Sequence, residues 1–152
     1  MVAASELPIA TVREGTTATQ MAQEIFGNGV TVTGATYYGD NDSAGIYTNG
    51  DSVTPGDTGV ILSTGEVEDF TNSSGQSNQR TNTSTNTSGS NNVSQYNNAA
   101  GGTTYDAATL DVDFIPDSNL LTMQFVFSSE EYPEFANSIY QDFFGVWING
   151  QL

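Results

Sequence analysis

Residues 121–152 read LTMQFVFSSEEYPEFANSIYQDFFGVWINGQL and contain two apolar runs on either side of an acidic segment. The first run, Leu121–Phe127, alternates in the way typical of a half-buried strand, and we expect its odd-numbered side chains in the core. The second run, Phe143–Ile148, is also typical of a strand and leads into Asn149-Gly150, a pair that favours a two-residue hairpin turn. This stretch therefore predicts antiparallel β structure.

Strand-like alternation recurs earlier in the chain. Val30–Tyr38 (VTVTGATYY) and the shorter Val60–Ser63 (VILS) have the β-branched and apolar composition of strands. In Tyr105–Phe114 apolar residues alternate with aspartates, and Pro116–Asn119 has the composition of a turn. We therefore expect Tyr105–Phe114 to form an antiparallel hairpin with Leu121–Phe127.

Residues 16–26, TTATQMAQEIF, change to helical spacing. Thr17 is a suitable N-cap, and Gly27 is a suitable residue to end the helix. We expect a short amphipathic helix that packs Met21, Ile25 and Phe26 against the rest of the domain.

These patterns predict a mainly β fold: an antiparallel jelly-roll-like β-sandwich with one short N-terminal helix and a long Thr/Asn-rich loop. Residues 1–15 form either a leader or an edge strand. Residues 16–152 form a single β-sandwich domain, which we expect to be incomplete at its C-terminal end. Within it, residues 71–98 are a low-complexity tract that we interpret as a surface loop, with Thr/Asn-rich strands as the alternative.

The charge balance limits the possible partners. The chain has 18 acidic residues against only two basic ones, Arg13 and Arg80, and a net charge of -16. Nucleic-acid binding is excluded because no basic patch exists to neutralise phosphates. No apolar run approaches the ~20 residues that a membrane-spanning helix needs, so we expect no membrane insertion. Cations are the natural partners, although acidity that only maintains solubility is the alternative.

Missing residue types restrict the chemistry further. The sequence contains no Cys and no His, which excludes thiolate nucleophiles, zinc–sulfur sites and Ser-His-Asp triads. Carboxylates remain, and they suit hard metal ions or acid–base catalysis.

The acidic segment between the two apolar runs is the candidate metal site. Carboxylates held close together repel one another unless a cation compensates. Ca²⁺ accepts about six to eight oxygen ligands, which Asp, Glu, Asn and main-chain carbonyl groups provide. We expect Ca²⁺ as the cofactor, with Glu131, Asn137 and Asp142 as the preferred ligands and Glu130 or Glu134 as a supplement. The alternative is that these side chains are solvated loop charges.

A second acidic region is a weaker metal candidate. Its aspartates lie among Gly, Asn and Ser, but the spacing is not that of an EF-hand, and Asp is also an ordinary turn residue. The weaker ligands are Asp40, Asp42, Asp51 and Asp57.

Two other functions use the same acidic segment. In a calcium-dependent carbohydrate-binding module, Tyr132 and Tyr140 would contact a surface glycan. In a glycoside hydrolase, Glu130 and Glu131 would act as acid and base.

Several motifs resemble one known family, the bacterial choice-of-anchor L domain. They are GNGVTV (27–32), SAGIYTNGD (43–51), DTGVILSTG (57–65), DFTNSSG (69–75), FVFSSEEYPEF (125–135) and DFFGVWING (142–150). The resemblance covers nearly the whole chain. It implies a secreted bacterial surface protein held by one of several anchors, and it transfers no catalytic or metal residues.

Domains of that family continue well beyond the Val-Trp-Ile-Asn-Gly hairpin. The resemblance therefore implies further strands, supplied by another chain or by a second copy at an open edge along Phe143–Ile148. Residues 1–3 do not have the composition of a signal peptide. We expect an extracellular, cell-surface, calcium-stabilised structural or adhesive module rather than an enzyme.

Overall fold

The computed structural model describes residues 6–71, 85–87, 89, 97–98, 101–129 and 142–151. The regular elements in this part of the chain are, in order, β1 (Ile9–Thr11), α1 (Ala18–Phe26), β2 (Val30–Tyr38), β3 (Ala44–Tyr47), β4 (Gly59–Leu62) and β5 (Thr109–Pro116). Three 3₁₀ turns lie between them, at Gly27–Gly29, Gly50–Ser52 and Val67–Phe70.

The first sheet has three antiparallel strands in the order β1-β3-β4. Ala10 lies opposite Ile46, and Ile46 lies opposite Val60. At Gly45 the strands approach so closely that a Cβ atom would stand 2.7 Å from the Ala10 carbonyl oxygen and 2.7 Å from Cγ2 of Ile9. Glycine is therefore required sterically where β3 passes β1.

The second sheet is an antiparallel pair of β2 and β5, with Val30 opposite Pro116 and Tyr38 opposite Thr109. A register shift between Val32 and Gly34 marks a bulge. The predicted hairpin of β5 with Leu121–Phe127 is wrong, because Leu121–Phe127 forms no strand ladder in the described residues, and β5 pairs with the distant strand β2. The pairing with β2 goes together with a contact between Phe114 of β5 and Phe26, and the long sequence separation costs little extra loop entropy.

Thr17 caps the N-terminus of helix α1. The Thr17 hydroxyl accepts from the Gln20 backbone N–H at 3.2 Å, and the Gln20 side chain accepts from the Thr17 N–H at 2.8 Å, which completes a capping box. Gly27 follows the helix at a positive φ of 58°. The predicted cap, helix and stop are confirmed.

The helix contacts strands of both sheets. Met21 and Ala22 on its inner face are fully buried, as are Ala44 on β3 and Val67 in the third 3₁₀ turn. The ring of Phe26 lies 4.7 Å from that of Phe114 on β5. Ile25 is 38 % exposed, so its expected place on the packing face is wrong: the buried residues of the helix are Met21 and Ala22.

Leu121–Phe127 and Phe143–Ile148 are described, but neither forms a strand ladder with any other described segment. The expected burial of the first run is also wrong, since Met123, Phe125 and Phe127 are 44 %, 62 % and 53 % exposed. The predicted turn at Asn149-Gly150 is confirmed by an antiparallel bridge between Ile148 and Gln151 and by positive φ angles of 52° and 76°.

A small part of the Thr/Asn tract is described. The carboxylate of Asp106 accepts from the Thr85 hydroxyl at 3.0 Å and from the Thr87 backbone N–H at 3.0 Å. The Asn97 side-chain oxygen accepts from both the backbone and the hydroxyl of Thr104. Polar side chains therefore attach these residues to the segment that precedes β5.

The prediction of a mainly antiparallel β fold with a short N-terminal helix is confirmed. The jelly-roll connectivity and the division into residues 1–15 and 16–152 remain predictions.

Candidate functional site

Asp142 is the member of the main metal set that lies in the described residues, at the start of the second apolar run. One carboxylate oxygen, Oδ1, accepts from the hydroxyl of Thr64 at 3.4 Å, and Oδ2 accepts from the hydroxyl of Ser129 at 3.3 Å. Thr64 follows β4, and Ser129 follows the first apolar run. The two residues that bracket the acidic segment, Ser129 and Asp142, are therefore within hydrogen-bonding distance of each other.

This arrangement leaves Asp142 able to bind a cation. Its side chain is exposed, and each oxygen of an ionised carboxylate has two lone pairs, of which the described contacts use one per oxygen. The other predicted residues of this site lie outside the described residues: Glu130, Glu131, Tyr132, Glu134, Asn137 and Tyr140. The calcium set and the two sugar-contacting tyrosines remain predictions.

Asp40 and Asp42, two of the weaker metal candidates, bind a protein cation. The Nε–H of Arg13 donates to a carboxylate oxygen of Asp42. The distance from Nη2 of Arg13 to Oδ1 of Asp40 is 3.5 Å. The Asp42 hydrogen bond and charge raise the pKa of Arg13 above its ordinary value. The Asp40 carboxylate also accepts from the Asp42 backbone N–H at 2.9 Å, which shapes the turn between β2 and β3.

Two backbone bonds and one side-chain bond join the same turn to other parts of residues 6–71. The Arg13 N–H donates to the Asn41 carbonyl, and the Val67 N–H donates to the Asp42 carbonyl. The hydroxyl of Tyr37 donates to the Asp40 carbonyl at 2.8 Å. Burial of the phenol, with a smaller contribution from the Asp40 charge, raises the pKa of Tyr37 well above its ordinary value. These hydrogen bonds hold the turn against Arg13, Val67 and Tyr37, which gives it a structural role.

Asp51 lies in the 3₁₀ turn Gly50–Ser52, and the backbone carbonyl of Asp57 accepts from the Gly50 N–H at 2.8 Å. Among the described residues, no group of three acidic, His or Cys side chains is placed to hold a metal ion. In the second acidic region, Asp40 and Asp42 thus pair with Arg13, and Asp51 and Asp57 lie in a separate turn at Gly50.

Sequence reasoning missed the roles of Arg13, Thr64 and Ser129. Arg13 had a detectable signal, because one of two cations in a chain with 18 carboxylates is expected to be paired. The sequence carries no signal for the role of Thr64, since Thr64 and Asp142 are far apart in the chain and only the tertiary fold brings them together.

The family model of the choice-of-anchor L domain matches residues 10–151. The match covers nearly the whole chain, so the chain belongs to the choice-of-anchor L domain family. Membership implies a module of a bacterial surface protein, and this family is not an enzyme family. No curated protein and no solved structure matches the chain. No helix in the described ranges has the length and apolar character needed to cross a membrane.

Proposed function

We propose that this domain is an extracellular structural or adhesive module, that Ca²⁺ stabilises it at the segment between Ser129 and Asp142, and that it assembles through exposed apolar segments. The observation that carries the calcium proposal is the 3.3 Å contact between the Ser129 hydroxyl and the Asp142 carboxylate. This contact brings together the two residues that flank a segment whose sequence contains Glu130, Glu131 and Glu134.

Charge gives the physical reason for an ion at this segment. Carboxylates that lie close together need a compensating cation, and the chain has only Arg13 and Arg80 to offer. Arg13 is engaged by Asp40 and Asp42. A hard divalent ion with flexible coordination satisfies carboxylate, amide and hydroxyl oxygens together, which favours Ca²⁺ over Mg²⁺.

Thermal melting during calcium titration tests this proposal. With Ca²⁺ at about 100 times its dissociation constant, we expect stabilisation of about 2.7 kcal/mol. Asp142→Asn removes a ligand charge and should abolish most of the shift. The matched control is Asp111→Asn, which changes an exposed aspartate on β5 and should keep the calcium response.

An equal shift with Mg²⁺ or NaCl, or in all variants, would show general charge screening in place of a site. No shift with millimolar Ca²⁺ would reject the calcium proposal.

The carbohydrate-binding and glycoside hydrolase alternatives predict other outcomes. Glycan-array binding that is lost on chelation and in Tyr132→Ala would favour the first. Glycosidase activity that is lost in Glu131→Gln would favour the second.

A further inference from the structure

The sequence contains three Asn-Gly pairs, and the structure places them in three different settings: Asn28-Gly29, Asn49-Gly50 and Asn149-Gly150. Glycine has no Cβ atom, so its backbone nitrogen is open to the side-chain amide of the asparagine before it. That nitrogen attacks Cγ of the asparagine only in backbone conformations that bring the two atoms together. The reactivity of each pair therefore depends on how firmly the fold holds the glycine.

The Asn49-Gly50 pair is held on several sides. Gly50 is buried, its N–H donates to the Asp57 carbonyl at 2.8 Å, and its carbonyl accepts from the Thr54 N–H at 2.8 Å. A Cβ atom on Gly50 would stand 2.7 Å from Cε2 of Tyr47, so this ring covers the glycine. Asn49 has φ 57° and ψ 38°, which does not bring the Gly50 nitrogen to the Asn49 side chain. Attack requires this turn to open, with the loss of all these contacts.

The Asn149-Gly150 pair is held by far less. Both residues are exposed, with positive φ angles of 52° and 76°. Two hydrogen bonds between Ile148 and Gln151, of 2.9 Å and 3.0 Å, close the turn. The Gly150 N–H donates to no group in the part of the chain that the structure describes. Opening this turn therefore costs two exposed hydrogen bonds and no burial.

The Asn28-Gly29 pair lies in the 3₁₀ turn Gly27–Gly29 and is also exposed. The Gly29 carbonyl accepts from the Asp117 N–H at 3.1 Å, which ties the turn to the end of β5. The turn also joins α1 directly to β2, so it opens only if the connection between two packed elements is disturbed. The fold thus protects this pair more than it protects Asn149-Gly150.

We propose that Asn149 is a site of spontaneous modification, at which water converts the side-chain amide to aspartate and isoaspartate, while the fold protects Asn28 and Asn49. The nitrogen of Gly150 loses its proton to hydroxide and bonds to Cγ of Asn149. The bond between Cγ and Nδ2 breaks, and ammonia leaves with a proton taken from water. Water then opens the cyclic imide at either of its carbonyl groups. The only co-reactant is water, and nothing is oxidised or reduced.

The modification changes both the charge and the covalent structure of the turn. Each product adds a carboxylate to a chain whose net charge is already -16. In isoaspartate the main chain runs through the side-chain carbon, so the turn gains a methylene group and no longer matches a two-residue hairpin. We expect the bridge between Ile148 and Gln151 to weaken as a result, so the hairpin changes with the age of the protein.

The test incubates the whole chain in mildly alkaline buffer and follows each Asn-Gly pair by peptide mapping with mass spectrometry. In the folded protein, Asn149 should lose its amide at least about tenfold faster than Asn49, because opening at Asn49 breaks more hydrogen bonds and exposes a buried glycine. Asn28 should also react more slowly than Asn149. In guanidinium chloride that unfolds the chain, the three rates should converge to within about threefold, because the same pair is then equally free.

Thr54→Val tests the protection of Asn49. The Thr54 hydroxyl donates to the carbonyl groups of Gly50 and Gly56 at 3.1 Å and 2.7 Å. Its loss should accelerate the reaction at Asn49 and leave the rate at Asn149 unchanged. Circular dichroism shows whether this variant keeps its fold, and the comparison of folded and unfolded wild type needs no variant.

Asn149→Asp is the matched control for the product, because it carries the new charge without the lengthened main chain. In the isoaspartate fraction, the Ile148 amide should exchange hydrogen at least about tenfold faster than in Asn149→Asp. Equal rates at Asn49 and Asn149 in the folded chain, or a preference for Asn149 that persists in denaturant, would overturn the control by the fold. Unchanged exchange at Ile148 would contradict the effect on the hairpin.

Discussion

Residues 6–71 and the apolar surface, which is Leu121–Phe127 together with Phe143–Ile148, differ in how deeply their apolar side chains are buried. Their sequences do not suggest this difference. The first region is rich in Gly, Thr and Asp, yet it holds the fully buried Met21, Ala22, Ala44 and Val67. The apolar surface has the densest run of large apolar residues in the chain, yet its side chains in Leu121–Phe127 are all exposed. Apolar content and burial are thus separated between the two regions.

The reason is the availability of partners. Met21 lies on a capped helix that packs on strands of both sheets, so every side of it meets other atoms. Phe125 meets the ring of Phe144, but no described strand or helix covers the outer side of either ring. A side chain is buried when other elements surround it, and an apolar sequence alone supplies only one side of the contact.

Two methionines provide the strongest test of this difference. Met21→Ala should lower the free energy of unfolding by about 2–5 kcal/mol, because it leaves a cavity in the core. Met123→Ala, the same substitution at a residue 44 % exposed, should cost less than about 0.5 kcal/mol. Urea denaturation measures both. A comparable loss in Met123→Ala would show that the apolar surface is buried in solution and would remove the contrast.

Close strand packing in the first region predicts the next effect. Gly45→Ala should cost about 1–3 kcal/mol, since the new methyl group would push β1 away from β3. Gly29→Ala is the matched control, because a Cβ atom there meets nothing within 4 Å. Denaturant midpoints compare the two variants, and equal losses would indicate that intrinsic backbone preferences of glycine, and not the contact, dominate.

The smallest expected effect concerns alkaline pH at Tyr37. Burial raises the pKa of Tyr37, so above about pH 10 the unfolded chain releases the phenolic proton while the folded chain retains it. Stability should therefore be complete below about pH 10 and fall as the pH rises. In Tyr37→Phe this loss should disappear, with a cost of about 0.5–1.5 kcal/mol at neutral pH for the missing hydrogen bond to Asp40.

Melting temperatures between about pH 8 and pH 11 measure the Tyr37 effect. Tyr38→Phe, on the exposed side of the same strand, should follow the wild type. An undiminished alkaline loss in Tyr37→Phe would place the responsible group elsewhere.

Local signals predicted local structure well. Thr17 and Gly27 predicted the limits of α1, because a cap and a stop act through adjacent backbone groups. Val30–Tyr38 was predicted as a strand with the bounds that the structure has. The Asn149-Gly150 turn follows from two residues that tolerate positive φ.

Pairing over longer distances was not predictable in the same way. β5 pairs with β2, whereas the neighbouring run Leu121–Phe127 forms no ladder in the described residues although its sequence alternates in the same way. The contact of Asp142 with Thr64 likewise depends on where β4 ends in space. For the acidic segment, sequence predicts the ligand chemistry, and the structure adds the proximity of Ser129 and Asp142.

The sequence alone determined the mainly β class, the helix, the tight turn, the acidic character and the family of this protein, because each depends on composition or on residues close together in the chain. Only the tertiary structure decided which strands pair, which apolar residues are buried, and which aspartates bind Arg13. These outcomes depend on contacts between segments that are distant in the chain. The free energy of such a contact depends on both segments, so the sequence of one segment does not determine it.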